Sequence, residues 1–137
     1  MRSYVPLLAA LAVTTACASA DPGTEAGGAA PRQNELTIRA DAGDGSPAQS
    51  WTLACDGAAE GTHPDPAAAC THLQRMDHPF APLPSDVACT EQFGGPQTAH
   101  VTGVWKGDPV DLQLSRTDGC RIGQWNALGP LLPIPVG

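Results

Sequence analysis

Cys89-Thr90-Glu91-Gln92-Phe93-Gly94-Gly95-Pro96 opens on a cysteine, closes on two glycines and a proline, and has neither helical nor strand periodicity. Such a stretch reads as a loop tied down at one end. Its cysteine is one of four, with Cys55, Cys70 and Cys120, in a C-terminal domain of roughly 100 residues, a size at which cross-links add materially to a single core. Two disulfides are expected, one of them anchoring this loop.

Upstream, Arg2 precedes an apolar run over residues 4–13 and then small residues, the layout of a secretory signal. The run is too short for a stable membrane span. Two processing routes are open: cleavage after Ala18-Ser19-Ala20, giving a signal over 1–20, or a lipoprotein signal over 1–16 that leaves a lipid on Cys17. Either removes Cys17 from the disulfide count and makes five cysteines an even four. The expected location is extracellular, free or tethered at the outer face of the membrane. Residues 21–33, rich in Gly, Ala and Pro, cannot bury enough apolar surface to offset ordering and read as a linker. The domain then runs over 34–137.

The chain has 7 basic and 14 acidic side chains, and the basic ones are scattered. Nucleic-acid binding needs clustered cations to release phosphate counterions, so that class is excluded.

Apolar and polar residues alternate at 36–39 and again at 51–55, as in half-buried strands, with a dense turn signal at 41–47 between them. A second strand pair is predicted at 100–105 and 110–115, reversed by Lys106-Gly107-Asp108-Pro109, with Val110, Leu112 and Leu114 on one face. A helix starts at Asp65, a capping residue, with Pro66 in the first helical position, and places Ala69, Leu73 and Met76 on one face beside Cys70. The proline-broken run 129–136 can make at most an edge strand.

No catalytic constellation is present: the serines are isolated and no Gly-x-Ser-x-Gly elbow occurs. Nor are the cysteines spaced in the close pairs of zinc sites, and Cys70 and His72 face apart on a helix. No enzyme activity, metal or cofactor is expected. Thr62 and His63 read as structural hydrogen-bonding residues and Trp105 as a core residue.

Gly61-Thr62-His63-Pro64, the alanine-rich stretch ending at Cys70, the Cys89 loop and Gly103-Val104-Trp105-Lys106-Gly107 resemble, in order and spacing, the Streptomyces subtilisin inhibitor family over residues 36–120. The resemblance implies an α+β domain, an antiparallel sheet of about five strands with two helices packed on one face. It also implies disulfides Cys55–Cys70 and Cys89–Cys120, and a homodimer formed through the opposite sheet face. By the same resemblance the chain is a standard-mechanism serine protease inhibitor, its reactive-site segment running from Cys89 through Thr90, Glu91, Gln92 and Phe93. Glu91 would fill the protease's primary specificity pocket and Gln92 would lie across the scissile bond. The sequence departs from the family at Glu91, where relatives place an apolar or basic residue, at Thr90 in place of Pro, and at Gly94-Gly95, one residue longer. The expected partner is an extracellular serine protease, subtilisin-like or glutamyl endopeptidase-like, and the first departure favours the glutamate-preferring kind, with subtilisin bound less well; the other two are expected to loosen the loop. The alternative is a cell-surface binding module with the inhibitor fold and little inhibitory activity.

Overall fold

The alternation at 36–39 is the centre of β1 (Glu35–Asp41), where Leu36, Ile38 and Ala40 are buried while Thr37 and Arg39 are exposed. The computed structural model describes residues 32–136. β1 is flanked by two antiparallel neighbours, β2 (Gln49–Ala54) and β3 (Thr98–Trp105), and β3 pairs in turn with β4 (Asp108–Ser115). The sheet order is β2-β1-β3-β4. Its register puts Ile38 opposite Val101 and Val101 opposite Leu112, and likewise Ala40, Ala99 and Leu114 in a row. Because the side-chain period of a strand is two, these rows build one continuous apolar face. The other face is polar, with Thr37, Arg39, His100, Thr102, Asp111 and Gln113.

Lys106 and Gly107 reverse the chain between β3 and β4 with φ of 49° and 82°. Paired positive φ values define the tight turn whose twist matches its strands, and glycine accepts such a value without a Cβ penalty.

Two helices cover the apolar face. α1 (Pro66–Gln74) begins as expected: the Asp65 carboxylate accepts from the Ala68 N–H at 3.1 Å, and Ala69, Cys70 and Leu73 face the core. Met76 lies beyond the helix end but still packs on the core. α2 (Gly119–Leu128) contributes Trp125 and Leu128 and runs into a 3₁₀ turn at Gly129–Leu131. These residues and the sheet's apolar rows form one cluster, with Leu131, Leu132 and Ile134 in it.

One expectation is corrected here. The sheet has four strands rather than about five, because the C-terminal run is not an edge strand. Pro130, Pro133 and Pro135 lack the N–H groups a ladder needs, so the segment instead buries its leucines under the helices. Residues 32 and 33, just before the sheet, also make contacts. Arg32 pairs with Glu35 at 3.3 Å, the Gln33 N–H donates to Asp56 at 3.0 Å, and the Gln33 carbonyl accepts from Gly107 at 3.1 Å. The signal segment, Cys17 and the rest of the linker lie outside the described residues.

The Gly-Thr-His-Pro turn is structural, as read. Thr62 Oγ1 accepts from the Thr52 N–H at 2.8 Å, and the Thr62 N–H donates to Thr52 Oγ1 at 3.1 Å. His63 is buried; its Nδ1 accepts from the Asp65 N–H at 3.0 Å, which leaves Nε2 to donate to the Leu131 carbonyl at 3.1 Å. One imidazole thereby fixes the start of α1 against the C-terminal segment. Trp105 is buried and meets Phe80 edge-on at 6.0 Å between ring centroids.

Candidate functional site

The disulfides are Cys55–Cys70, which ties the end of β2 to α1 inside the core, and Cys89–Cys120, which ties the loop to the first turn of α2. Downstream of Pro79 the chain emerges, and every residue from 81 to 93 is exposed. Residues 87–95 have no regular structure. Phe93, at 69% exposure, is the most exposed large apolar side chain among the described residues. Glu91, Gln92 and Phe93 make no hydrogen bond or ion pair to the other described residues. All three residues are exposed.

Just outside this free stretch the backbone is held on each side. The Thr90 carbonyl accepts from the Gly119 N–H at 3.0 Å, next to the Cys89–Cys120 bridge. On the other side the Gly94 N–H donates to the Arg116 carbonyl at 2.7 Å, and the Gly94 carbonyl accepts from Arg116 Nε at 3.2 Å. Arg116 is itself buried, with Nη1 donating to Asn126 Oδ1 at 2.9 Å and its guanidinium 5.8 Å from the centroid of the Trp125 ring. Three consecutive residues are therefore suspended between two anchors that both belong to the β4–α2 region.

Two glycines admit this arrangement. A Cβ on Gly119 would overlap Thr90 Oγ1, and a Cβ on Gly94 would lie 2.7 Å from Ile122 Cδ1. Gly94 is thus a docking point rather than slack, which corrects the expectation that both glycines loosen the loop. At Gly95 the backbone has a φ of 131°, which L side chains rarely adopt.

Asp118 caps α2 from below the loop, Oδ1 accepting from the Arg121 N–H at 2.9 Å, and the Arg121 guanidinium lies against Oδ2. The Arg121 backbone N–H, then the Arg121 side chain and its charge, hold this carboxyl below the ordinary aspartate range against a partial desolvation. Asp118 also lies close to Cys89 and Cys120, a grouping with the outline of a metal site. The two sulfurs are bonded to each other, so they offer no thiolate. Of the residues named from the sequence, Cys89 and Thr90 fall on the anchored side of the loop and Glu91, Gln92 and Phe93 on the free stretch. Arg116, Asn126, Gly119 and Ile122 had no sequence signal of their own.

A family model described as subtilisin inhibitor-like matches residues 30–116. The chain is 31% identical over 135 residues to a subtilisin inhibitor of Streptomyces violaceus, covering 89% of this chain and 92% of that protein. It is 32% identical over 125 residues to kexstatin-1 of Streptomyces platensis, covering 85% and 83% respectively. Among solved structures it is similar to Streptomyces caespitosus sermetstatin, crystallised in complex with Bacillus licheniformis subtilisin, at 26% identity and a TM-score of 0.47 over 73% of this chain and 97% of that one. With a family match over most of the domain and full-length relatives that are named as inhibitors, the chain belongs to the subtilisin inhibitor-like family, a family of protease inhibitors and not of enzymes.

Proposed function

We propose that this chain inhibits an extracellular serine endopeptidase by the standard mechanism, presenting Glu91-Gln92 as the reactive bond. The observation that carries the reading is the free stretch Glu91-Gln92-Phe93 held between the Thr90–Gly119 and Gly94–Arg116 anchors. An exposed strand with unpaired backbone can lie in a protease cleft as a substrate does. Because both ends are already fixed, little chain entropy is lost on binding, which is how preorganised inhibitors gain affinity. After attack on the Glu91 carbonyl, the new amine at Gln92 stays near the acyl group, so the bond reforms more often than water intercepts it.

Glu91 sets the expected target. Burying an unpartnered carboxylate in an apolar pocket costs roughly 2 kcal/mol or more, whereas a pocket offering hydrogen-bond donors or a cation recovers that loss. A glutamate-preferring endopeptidase is the better fit, with subtilisin bound less well. Export belongs to the same reading; the mass of the mature chain distinguishes cleavage after Ala20 from a lipid on Cys17. Homodimer formation through the open sheet face is a separate part of the proposal, and light scattering on the purified chain tests it.

The deciding experiment titrates the mature protein against a glutamyl-specific serine endopeptidase and against subtilisin, following residual activity and then inhibitor mass. Stoichiometric loss of the glutamyl-specific activity, with the inhibitor intact or nicked only after Glu91, is the expected result. Glu91→Met should move inhibition toward subtilisin by about 10-fold or more, the equivalent of about 1.4 kcal/mol. An unchanged profile in that variant overturns the assignment of Glu91. No inhibition of either enzyme by the wild-type chain overturns the inhibitor reading in favour of a binding module.

A further inference from the structure

We infer that Arg116 is the positioning residue that keeps the leaving-group half of the loop in place after cleavage, so that the reactive bond can reform; this rests on Glu91-Gln92 being that bond. The two halves are held unequally. On the acyl side the Cys89–Cys120 disulfide is covalent, and Thr90 adds a hydrogen bond. On the other side no cross-link lies between Gln92 and β3, and the hydrogen bonds tying this stretch to the rest of the described residues are those of Gly94, both to Arg116.

Arg116 is an unusual residue to find there. It is one of two polar side chains, with His63, among the buried residues described, at 7% exposure, and among the described residues no carboxylate pairs with it. A buried guanidinium without a counter-charge is costly unless its N–H groups are occupied. Here they are spent on the Gly94 carbonyl and the Asn126 side-chain oxygen, with the Trp125 ring alongside. The guanidinium fork suits this task because it donates in two fixed directions from one rigid plane. Asn126 and Trp125 lie on α2, the helix that also carries Cys120. The same helix therefore references both sides of the scissile bond.

The size of the effect follows from chain length. With Gly94 held, the Gln92 amine moves on a tether of two residues, Gln92 and Phe93; with Gly94 released, the tether runs back to Thr98 at the start of β3, six residues over 92–97. Effective concentration falls roughly as the −3/2 power of tether length, so tripling the tether lowers it about fivefold before any loss of orientation.

The test uses the full mature chain with the serine endopeptidase that the titration above identifies. Catalytic amounts of enzyme are added to intact inhibitor and, separately, to inhibitor already nicked after Glu91, and mass spectrometry follows both to a common nicked-to-intact ratio. Arg116→Met keeps the side-chain length without N–H donors, Arg116→Lys keeps the charge without the fork, and Asn126→Ala unseats the guanidinium indirectly. Arg116→Met removes the side-chain donor but not the main-chain carbonyl that accepts from Gly94, so full release sets the ceiling: the ratio should rise by up to about fivefold in Arg116→Met, with smaller rises in the other two, and resynthesis from the nicked form should slow in the same order. Thermal melts identify which variants are folded at the assay temperature; a fold-wide role alone would change the melts without moving the ratio. Ratios equal to wild type in the folded variants overturn the role of Arg116 while leaving the reactive bond intact. A wild-type chain that is cut elsewhere, or never cut, overturns both.

Discussion

Thr90 and Gly119 meet where the loop crosses the start of α2, and the fit is mutual. The Thr90 hydroxyl occupies the volume that a Cβ on residue 119 would need, while the Thr90 carbonyl accepts from the Gly119 N–H at 3.0 Å. In an unencumbered helix Gly→Ala gains roughly 0.5–1 kcal/mol, and overpacking costs about 1–3 kcal/mol, so the clash should win. Gly119→Ala is therefore expected to lower thermal stability and to weaken inhibition by displacing the loop. Adding Thr90→Ala removes the offending hydroxyl and should restore most of the loss. A double-mutant cycle checks this: additive effects of the two substitutions would mean that the contact is not what matters. The loop's free residues were legible in the sequence because they are counted off from Cys89. Its supports were not. Arg116 reaches Gly94 across 22 residues and binds a carbonyl, a group every residue carries, so no side-chain pattern announces the pairing.

α2 is the element on which the site depends, and its sequence is a poor advertisement for a helix. Gly119-Cys120-Arg121-Ile122-Gly123-Gln124-Trp125-Asn126-Ala127-Leu128 carries two glycines, each unfavourable by roughly 1 kcal/mol against alanine, and buries only Trp125 and Leu128. Tertiary packing and the Asp118 cap make up the difference, which is why the strands and the Asp65-Pro66 start of α1 could be read from alternation and capping while α2 could not. The cap has a pH consequence. Because the folded state depresses the Asp118 pKa, first through the Arg121 N–H, its contribution is fully present above the unfolded value and is lost as pH falls through the lower folded value. Asn caps a helix about as well but does not titrate. The melting temperature of wild type should exceed that of Asp118→Asn at neutral pH, and the gap should close as the pH drops below the ordinary aspartate range. A gap that stays constant into strong acid would show that the charged cap adds nothing. Asp56 is depressed in the same direction, first by the Asn34 N–H, and is present in both proteins, so it cancels in the comparison.

At the scale of the whole molecule the two disulfides have similar thermodynamic weight and different work. Their sequence separations of 15 and 31 residues correspond, on a loop-entropy account, to about 3 and about 4 kcal/mol. Against a net stability of roughly 5–15 kcal/mol for a domain, loss of either bridge alone is survivable. Cys55–Cys70 lies within the core between β2 and α1, remote in the chain from the loop, so Cys55→Ala with Cys70→Ala should lower the melting temperature and leave inhibition unchanged wherever the protein is still folded. Cys89–Cys120 is different because it is the covalent half of the loop's support. Removing it leaves the acyl side on the Thr90–Gly119 hydrogen bond alone, worth only about 1 kcal/mol. Once the bond is cut, the segment ending at Glu91 can leave. Cys89→Ala with Cys120→Ala should therefore turn the inhibitor into a substrate at temperatures where circular dichroism still reports the native fold. The comparison is made by incubating each pair of substitutions with the target endopeptidase below both melting temperatures and following intact mass. Equal persistence of the two variants would mean that the fold, rather than the bridge beside the scissile bond, makes cleavage unproductive.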